Sequence, residues 1–397
     1  MNPRISLLSF FTAFSLMLVL NSCQKKDPFS VTEAEMVTDM KENQNYQKII
    51  AYGQSIGLGR DSTLYRERGM LNFLEEIGYG HKPAHIRHFE KVLPADTTRI
   101  HMAGWELAQG RDIEKAMENL EPPYEAYKVL KKHYKRLVDA NQPDSAAMVA
   151  ESLNAYRWMH RQSRGSERMV LVNINGAYLK GLDSLGNEEL YMNVIVGKAN
   201  TKTPGLDTYA TNVITFPYWN IPTSIALGEM LPRIRENVYY LERNGIEVLD
   251  RKGQIVDPTT IDWEDISEDN FPYRFRQDTG EGNSLGFMKV NIQNPYAIYL
   301  HDTDVRTLFG TDQRWRSHGC VRLENPAELA NYIAGEKIVE DNFIEDALAT
   351  PETDRKPKTH PLKNKVPTFL YFLPADVDKA GNLIYYKDVY DLRKGTV

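Results

Sequence analysis

The hydrophobic spacing of this 397-residue chain changes period near Met169, and that switch limits the folds open to it. Before it, apolar residues recur at helical spacing. Leu71, Leu74 and Ile77 form one stripe, with Gly78 placed to stop that helix. Pro122-Pro123 can open another at its first turn, in which Tyr127, Leu130, Tyr134 and Leu137 share a face, and Pro143 opens a third with Val149, Leu153 and Tyr156 inward. Beyond the switch, 170–174, 190–196 and 213–216 are runs rich in β-branched and aromatic residues, separated by turns such as Asn175-Gly176 and Leu185-Gly186-Asn187. A helical block followed by many short strands reads as α+β: a helical domain, then a mainly-β, sandwich-like or barrel-like domain.

The β pattern breaks between 222 and 284. Residues 231–241 look helical; Asp257-Pro258, an acidic loop over 262–269 and Gly280-Glu281-Gly282 follow. About sixty residues without strand periodicity inside a β domain read as a lid or capping subdomain. Strand pattern resumes at 285–292 and 296–301, and 326–334 is helical. The Pro/Lys-rich stretch 350–365 reads as a linker, and 368–373 with 383–386 as a final hairpin around Ala380-Gly381-Asn382. The expected division is therefore a helical domain over 39–166, a β domain over 167–335 with 222–284 inserted, and a linker plus hairpin over 336–397.

Residues 1–23 read as a targeting segment. Arg4 supplies a basic start, and the apolar run 7–20 is short for a membrane span and right for a signal core. Leu20-Asn21-Ser22-Cys23 resembles a bacterial lipobox, which implies that Cys23 is lipidated and anchors the chain to a membrane through a tether over 24–38. Gln24 after the cysteine, in place of aspartate, points to the outer membrane and a periplasmic location. A net charge of −6 and a pI near 5.9 argue against a nucleic-acid partner, which asks for a basic face. His81, His85 and His88 invite a metal reading, but Pro83 disturbs a shared helix face and no cysteine or carboxylate cluster completes a set. Neither metal nor cofactor is expected.

Ser317-His318-Gly319-Cys320-Val321-Arg322 holds one of the two cysteines. Glycine between a histidine and a cysteine permits a tight turn with N–H groups pointing one way. Cys320 reads either as a nucleophile or as a small buried hydrophobe near unrelated histidines. In an oxidising exported compartment it has no disulfide partner once Cys23 is acylated, which favours chemistry.

His301, fifteen residues and then Ser-His-Gly-Cys resembles the active-site signature of L,D-transpeptidases, the YkuD-type cysteine enzymes of the bacterial cell wall. Pro295-Tyr296, Arg322, Asn325-Pro326, Val196-Gly197-Lys198 with Thr203-Pro204, and Tyr218-Trp219-Asn220-Ile221-Pro222 match as well, so the resemblance runs from about Arg168 to the C-terminus. The helical region resembles, more weakly, the scaffold of the family's larger members. Those members carry a capping insertion where this chain has 222–284, and often a small peptidoglycan-binding module, for which there is no room here.

The resemblance implies a nucleophile, Cys320, served by His301 as base. A free thiol ionises near pH 8.5; a histidine in reach would lower that value and take the proton. A backbone carbonyl should orient the imidazole, since Asp302 alternates to the other face of its strand and reads as a solvated or turn residue. Backbone N–H groups of His318, Gly319 and Cys320 should bind the oxyanion, at roughly 2.7–4 kcal/mol per donor. The His318 side chain reads equally as structural or catalytic. Arg322 either fixes the turn through carbonyls or meets a substrate carboxylate. Ser317, Trp219 and Tyr299 fall with the substrate groove, core packing being the alternative for the two aromatics.

The implied reaction is acyl transfer from a tetrapeptide stem of peptidoglycan through a thioester to an amine on a second stem, giving a 3→3 cross-link. Carbapenems are the implied inhibitors. Water as acceptor would make an L,D-carboxypeptidase, and a protein lysine a lipoprotein-attaching enzyme. A non-catalytic wall-binding lipoprotein is the reading of a different class.

Overall fold

The computed structural model describes residues 27–59, 69–88 and 92–393. The signal segment, Cys23 and the start of the tether lie outside the described residues. Helices occupy Glu33–Glu42, Asn45–Ser55, Met70–Tyr79, Thr97–Ala108, Ile113–Glu118, Glu125–Asp139 and Pro143–Gln162. Thr32 and Glu35 close the first with a reciprocal capping box. Met36 and Met40, one turn apart, bury against Ile100, Ala103 and Leu107. The later part of the expected tether is thus folded into the helical core, because two methionines among polar residues suffice to pin a short amphipathic helix. Gly78 lies inside its helix, where Leu120 leaves no room for a Cβ, and Gly80 at φ 55° ends it instead.

The helices at Glu125–Asp139 and Pro143–Gln162 place Tyr127, Leu130, Leu153 and Tyr156 against Met169, Leu171, Phe369 and Tyr371 of the β domain. Buried polar bonds fix the joint: Trp158 Nε1 donates to Asp207 at 2.6 Å and the Tyr156 hydroxyl donates to Asp376 at 2.8 Å. His81 of the histidine trio pairs with Glu76 at 2.9 Å.

Strands run in chain order as β1 Ile86–His88, β2 Arg168–Asn173, β3 Tyr178–Asp183, β4 Glu188–Gly197, β5 Gly205–Thr215, β6 Trp219–Asn220, β7 Ile246–Leu249, β8 Ile255–Val256 and β9 Arg274–Gln277. Then come β10 Met288–Ile292, β11 Tyr299–His301, β12 Trp315–Ser317, β13 Val321–Leu323, β14 Lys358–Tyr371, β15 Ala375–Val377 and β16 Leu383–Tyr385. The main sheet follows β5-β10-β11-β13-β4-β3-β2-β14, and β14 pairs back onto β5. The sheet therefore closes on itself, the barrel-like form of the expected β core. Val172, Val194, Val213, Val290, Leu300 and Val321 fill it, and helix Pro326–Ala334 adds Leu329 and Ile333.

Two expectations change here. Residues 358–365 are not linker: they belong to β14, whose first four residues pair with β5 from Thr215 to Asn212 ahead of an irregular register. Their lysines and prolines hid the strand because this half is largely exposed, and only 366–371 carries the buried apolar run. Nor does 368–373 pair with 383–386; the hairpin is β15 with β16.

The insertion has its own apolar core, in which Ile234, Leu241, Val248, Trp263 and Phe275 meet. It also has its own sheet, ordered β6-β9-β7-β8. These strands are of two and four residues, too short for alternation to register in a sequence, so the expected absence of strands does not hold.

Candidate active site

β11 lies parallel to β13, with Leu300 opposite Val321 and His301 opposite Arg322. Cys320 precedes β13 directly, so this register sets the imidazole beside the nucleophile loop, and both side chains line one cavity of about 540 Å³.

The loop is held from below. Thr203 Oγ1 donates to the Gly319 carbonyl at 2.7 Å and accepts from Gly197 N–H at 2.8 Å. Thr201 Oγ1 donates to the Ser317 carbonyl at 2.8 Å. Ser317 Oγ donates to the Cys320 carbonyl at 2.6 Å and accepts from Gly319 N–H at 3.1 Å. Ser317 lines the cavity, its hydroxyl is occupied inside the turn, and the Gly319 N–H expected to serve an oxyanion is committed to it. Gly319 itself is required by its backbone, at φ 120° with Ile298 Cδ1 at 3.2 Å from where a Cβ would stand.

His301 is buried, and its Nδ1–H donates to the carbonyl of Asp302. A carbonyl only accepts, so Nδ1 carries the proton and Nε2 is left to take one. The orienting carbonyl that the sequence could not place is that of the next residue. The Asp302 carboxylate points away, as alternation requires, but it is buried rather than solvated: Oδ2 accepts from Phe287 N–H at 2.8 Å and from Arg306 at 2.5 Å.

Cys320 Sγ donates to the carbonyl of Ala297 at 3.6 Å, and Ala297 sits in left-handed backbone at φ 54°. Burial pushes the thiol up to about 11, against the pull of the Tyr299 N–H, Lys289 and Arg322. Burial likewise pushes His301 down to about 3, assisted by the Arg322 and Lys289 charges and opposed by the Asp302 carbonyl. Both groups rest neutral at pH 7, the reverse of an imidazole that lowers the thiol.

Tyr299 and Trp219 line the cavity, and Trp219 also packs on the insertion's core while hydrogen-bonding the Tyr299 hydroxyl. Arg322 lines it too, with Nη1 donating to the Thr303 hydroxyl at 3.3 Å. The exposed His318 side chain turns to Glu229 of the insertion, Nε2 to Oε1 2.8 Å, across the cavity mouth.

Sequence reasoning missed Lys289, Thr201 and Glu229, and it had Thr203 only as part of a matching motif, with no role assigned. Lys289 lies opposite His301 across the β10–β11 pair and its ammonium sits 3.7 Å from the Tyr299 ring centre. Its signal was the alternation in Met288–Ile292, which sets Lys289 on the face opposite the core. The threonines act through hydroxyl bonds that no periodicity reports.

Fold and cavity together define a β-rich domain in which a cysteine and a histidine share one cavity. Residues 167–359 match the model of the YkuD L,D-transpeptidase catalytic domain. The chain is 35% identical over 205 residues to a candidate L,D-transpeptidase of Haemophilus influenzae, a match that takes in 52% of this chain and 40% of that protein. It also aligns, over 52% of itself and 49% of the other chain, with the Ldtfm–avibactam carbamoyl enzyme at 10% identity and a TM-score of 0.23, too low to bear on fold or function.

Proposed function

We propose that the protein is a peptidoglycan L,D-transpeptidase that forms 3→3 cross-links by cysteine acyl transfer. The observation that carries this reading is the shared cavity of Cys320 and His301, with Nδ1 occupied so that Nε2 is the base. As Sγ attacks the carbonyl between the third and fourth stem residues, its proton passes to Nε2. The C–N bond then breaks, the terminal D-alanine leaves with that proton, and an acyl thioester remains on Cys320. An amine of a second stem attacks the thioester, loses a proton to Nε2, and expels the thiol. His318 and Cys320 N–H groups serve the oxyanion, with Gly319 occupied elsewhere. The insertion caps the donor peptide through Trp219 and the segment around Glu229.

Incubating the purified protein with tetrapeptide muropeptides and weighing the products tests this. Dimers are expected from the native protein and none from Cys320→Ala; tripeptide alone would mark a carboxypeptidase, and unchanged substrate a wall-binding module. A carbapenem should add its mass at Cys320. We further propose periplasmic location with a lipid anchor at Cys23 in the outer membrane, which acyl mass on the N-terminal peptide from membranes would support and an unmodified cysteine would exclude.

A further inference from the structure

Tyr296, Ala297 and Ile298 form a wall of the active-site cavity, and behind that wall lies a second cavity of about 370 Å³. Tyr296 and Ile298 line both. Arg87 and Lys202 are the charged side chains that line the second cavity, with His85 beside them, and among the described residues no carboxylate lines it. His85 and Arg87 come from the helical half of the sequence. They reach the site because β1 pairs in parallel with β5, Ile86 opposite Gly205.

Arg87 and Lys202 meet neutral partners. The Arg87 guanidinium lies 5.1 Å from the Tyr296 ring centre and donates to its hydroxyl. Lys202 Nζ donates to the Tyr390 carbonyl at 3.1 Å. Cations anchored on rings and carbonyls keep their charge available to an incoming anion, and a guanidinium suits a carboxylate in particular. Phe372 and Leu392 make the remaining wall apolar, which accommodates a peptide better than a free ion.

We propose that this second cavity is a carboxylate-recognition subsite: a peptide held in the active-site cavity extends past Tyr296 and places a carboxylate against Arg87 and Lys202. The proposal rests on the peptide acyl-transfer reading above. It gives the helical half a part in substrate selection, because one of its strands supplies the guanidinium.

Calorimetric titration of full-length Cys320→Ala with a stem tetrapeptide tests it, using the free acid and the same peptide with its carboxylates converted to carboxamides. The free acid should bind more tightly. Arg87→Gln with Lys202→Gln should weaken the free acid about tenfold and leave the carboxamide unchanged, in keeping with partly exposed ion pairs. Arg87→Lys with native Lys202 should restore most of the preference, and rising salt should erode it. An acid-over-amide preference that survives the double substitution overturns the subsite while leaving acyl transfer standing. No binding of either peptide to Cys320→Ala, together with no turnover by the native protein, overturns both. Equal loss for acid and carboxamide means the two residues only hold Tyr296 in place, and again overturns the subsite.

Discussion

The nucleophile loop and the inserted segment face each other across one cavity, yet they are secured by different means. The loop is bonded into the closed sheet by Thr201, Thr203 and Ser317, each hydroxyl placed on a backbone group of the turn. The insertion keeps a core and a sheet of its own. Its neck is fastened by Asn283, whose Nδ2 donates to Pro217 O at 3.0 Å and Asp278 O at 2.8 Å, and its tip meets the loop through Glu229 and His318. The loop is fixed by bonds to its own backbone, whereas the insertion reaches it through one exposed side-chain pair. Preorganisation belongs where charge develops, and an exposed ion pair is worth about 1 kcal/mol or less.

The sharpest way to break this contrast is on the fixed side. His301→Gln should cut acyl transfer by about 10²–10⁴-fold with little change in substrate affinity, read as a fall in kcat. Gly319→Ala should follow, since a side chain at φ 120° strains the turn by about 1–3 kcal/mol; a lower Tm and a kcat loss of up to about a hundredfold should appear together. Thiol reactivity comes next. With Cys320 raised to about 11, its alkylation rate should climb about tenfold per pH unit past pH 9 and level only near 11. His301, held down to about 3, should remain a competent base well below pH 6, so the acid limb of kcat should lie far under the ordinary histidine value. Thr203→Val leaves the Gly197 N–H and the Gly319 carbonyl without that hydroxyl and should cost about 1–3 kcal/mol in urea unfolding. Glu229→Gln should be the mildest, raising KM by about fivefold or less with kcat and Tm nearly unchanged. A Glu229 effect as large as that of Gly319 would erase the distinction between the two sides.

What could be read in advance follows the same division. The helix at Pro326–Ala334, the scaffold helix opened by Pro143 and the strands of the closed sheet all have patterns long enough to repeat; Pro122-Pro123 lies ahead of its helix, which starts at Glu125 behind Tyr124. Cys320 and His301 were legible because a motif states side-chain chemistry directly. The insertion's strands were not, being too brief for alternation, and its Glu229 contact spans 89 residues of sequence. The exposed half of β14 looked like linker because lysine and proline there answer to solvent, not to a core. Gly319 was expected to offer its N–H to substrate; only coordinates could show Ser317 Oγ already bound to it.

The strand that shuts the ring, Lys358–Tyr371, comes late in the chain, and it sits between β2 and β5, whose edges would otherwise stay open. Synthesis from the N-terminus therefore makes the thiol long before the enclosure around it can close. A ribosome-bound chain that has not yet emitted this segment holds a cysteine with no finished environment, and a nonsense codon between positions 323 and 357 would leave the ring open without touching a single residue that lines the cavity.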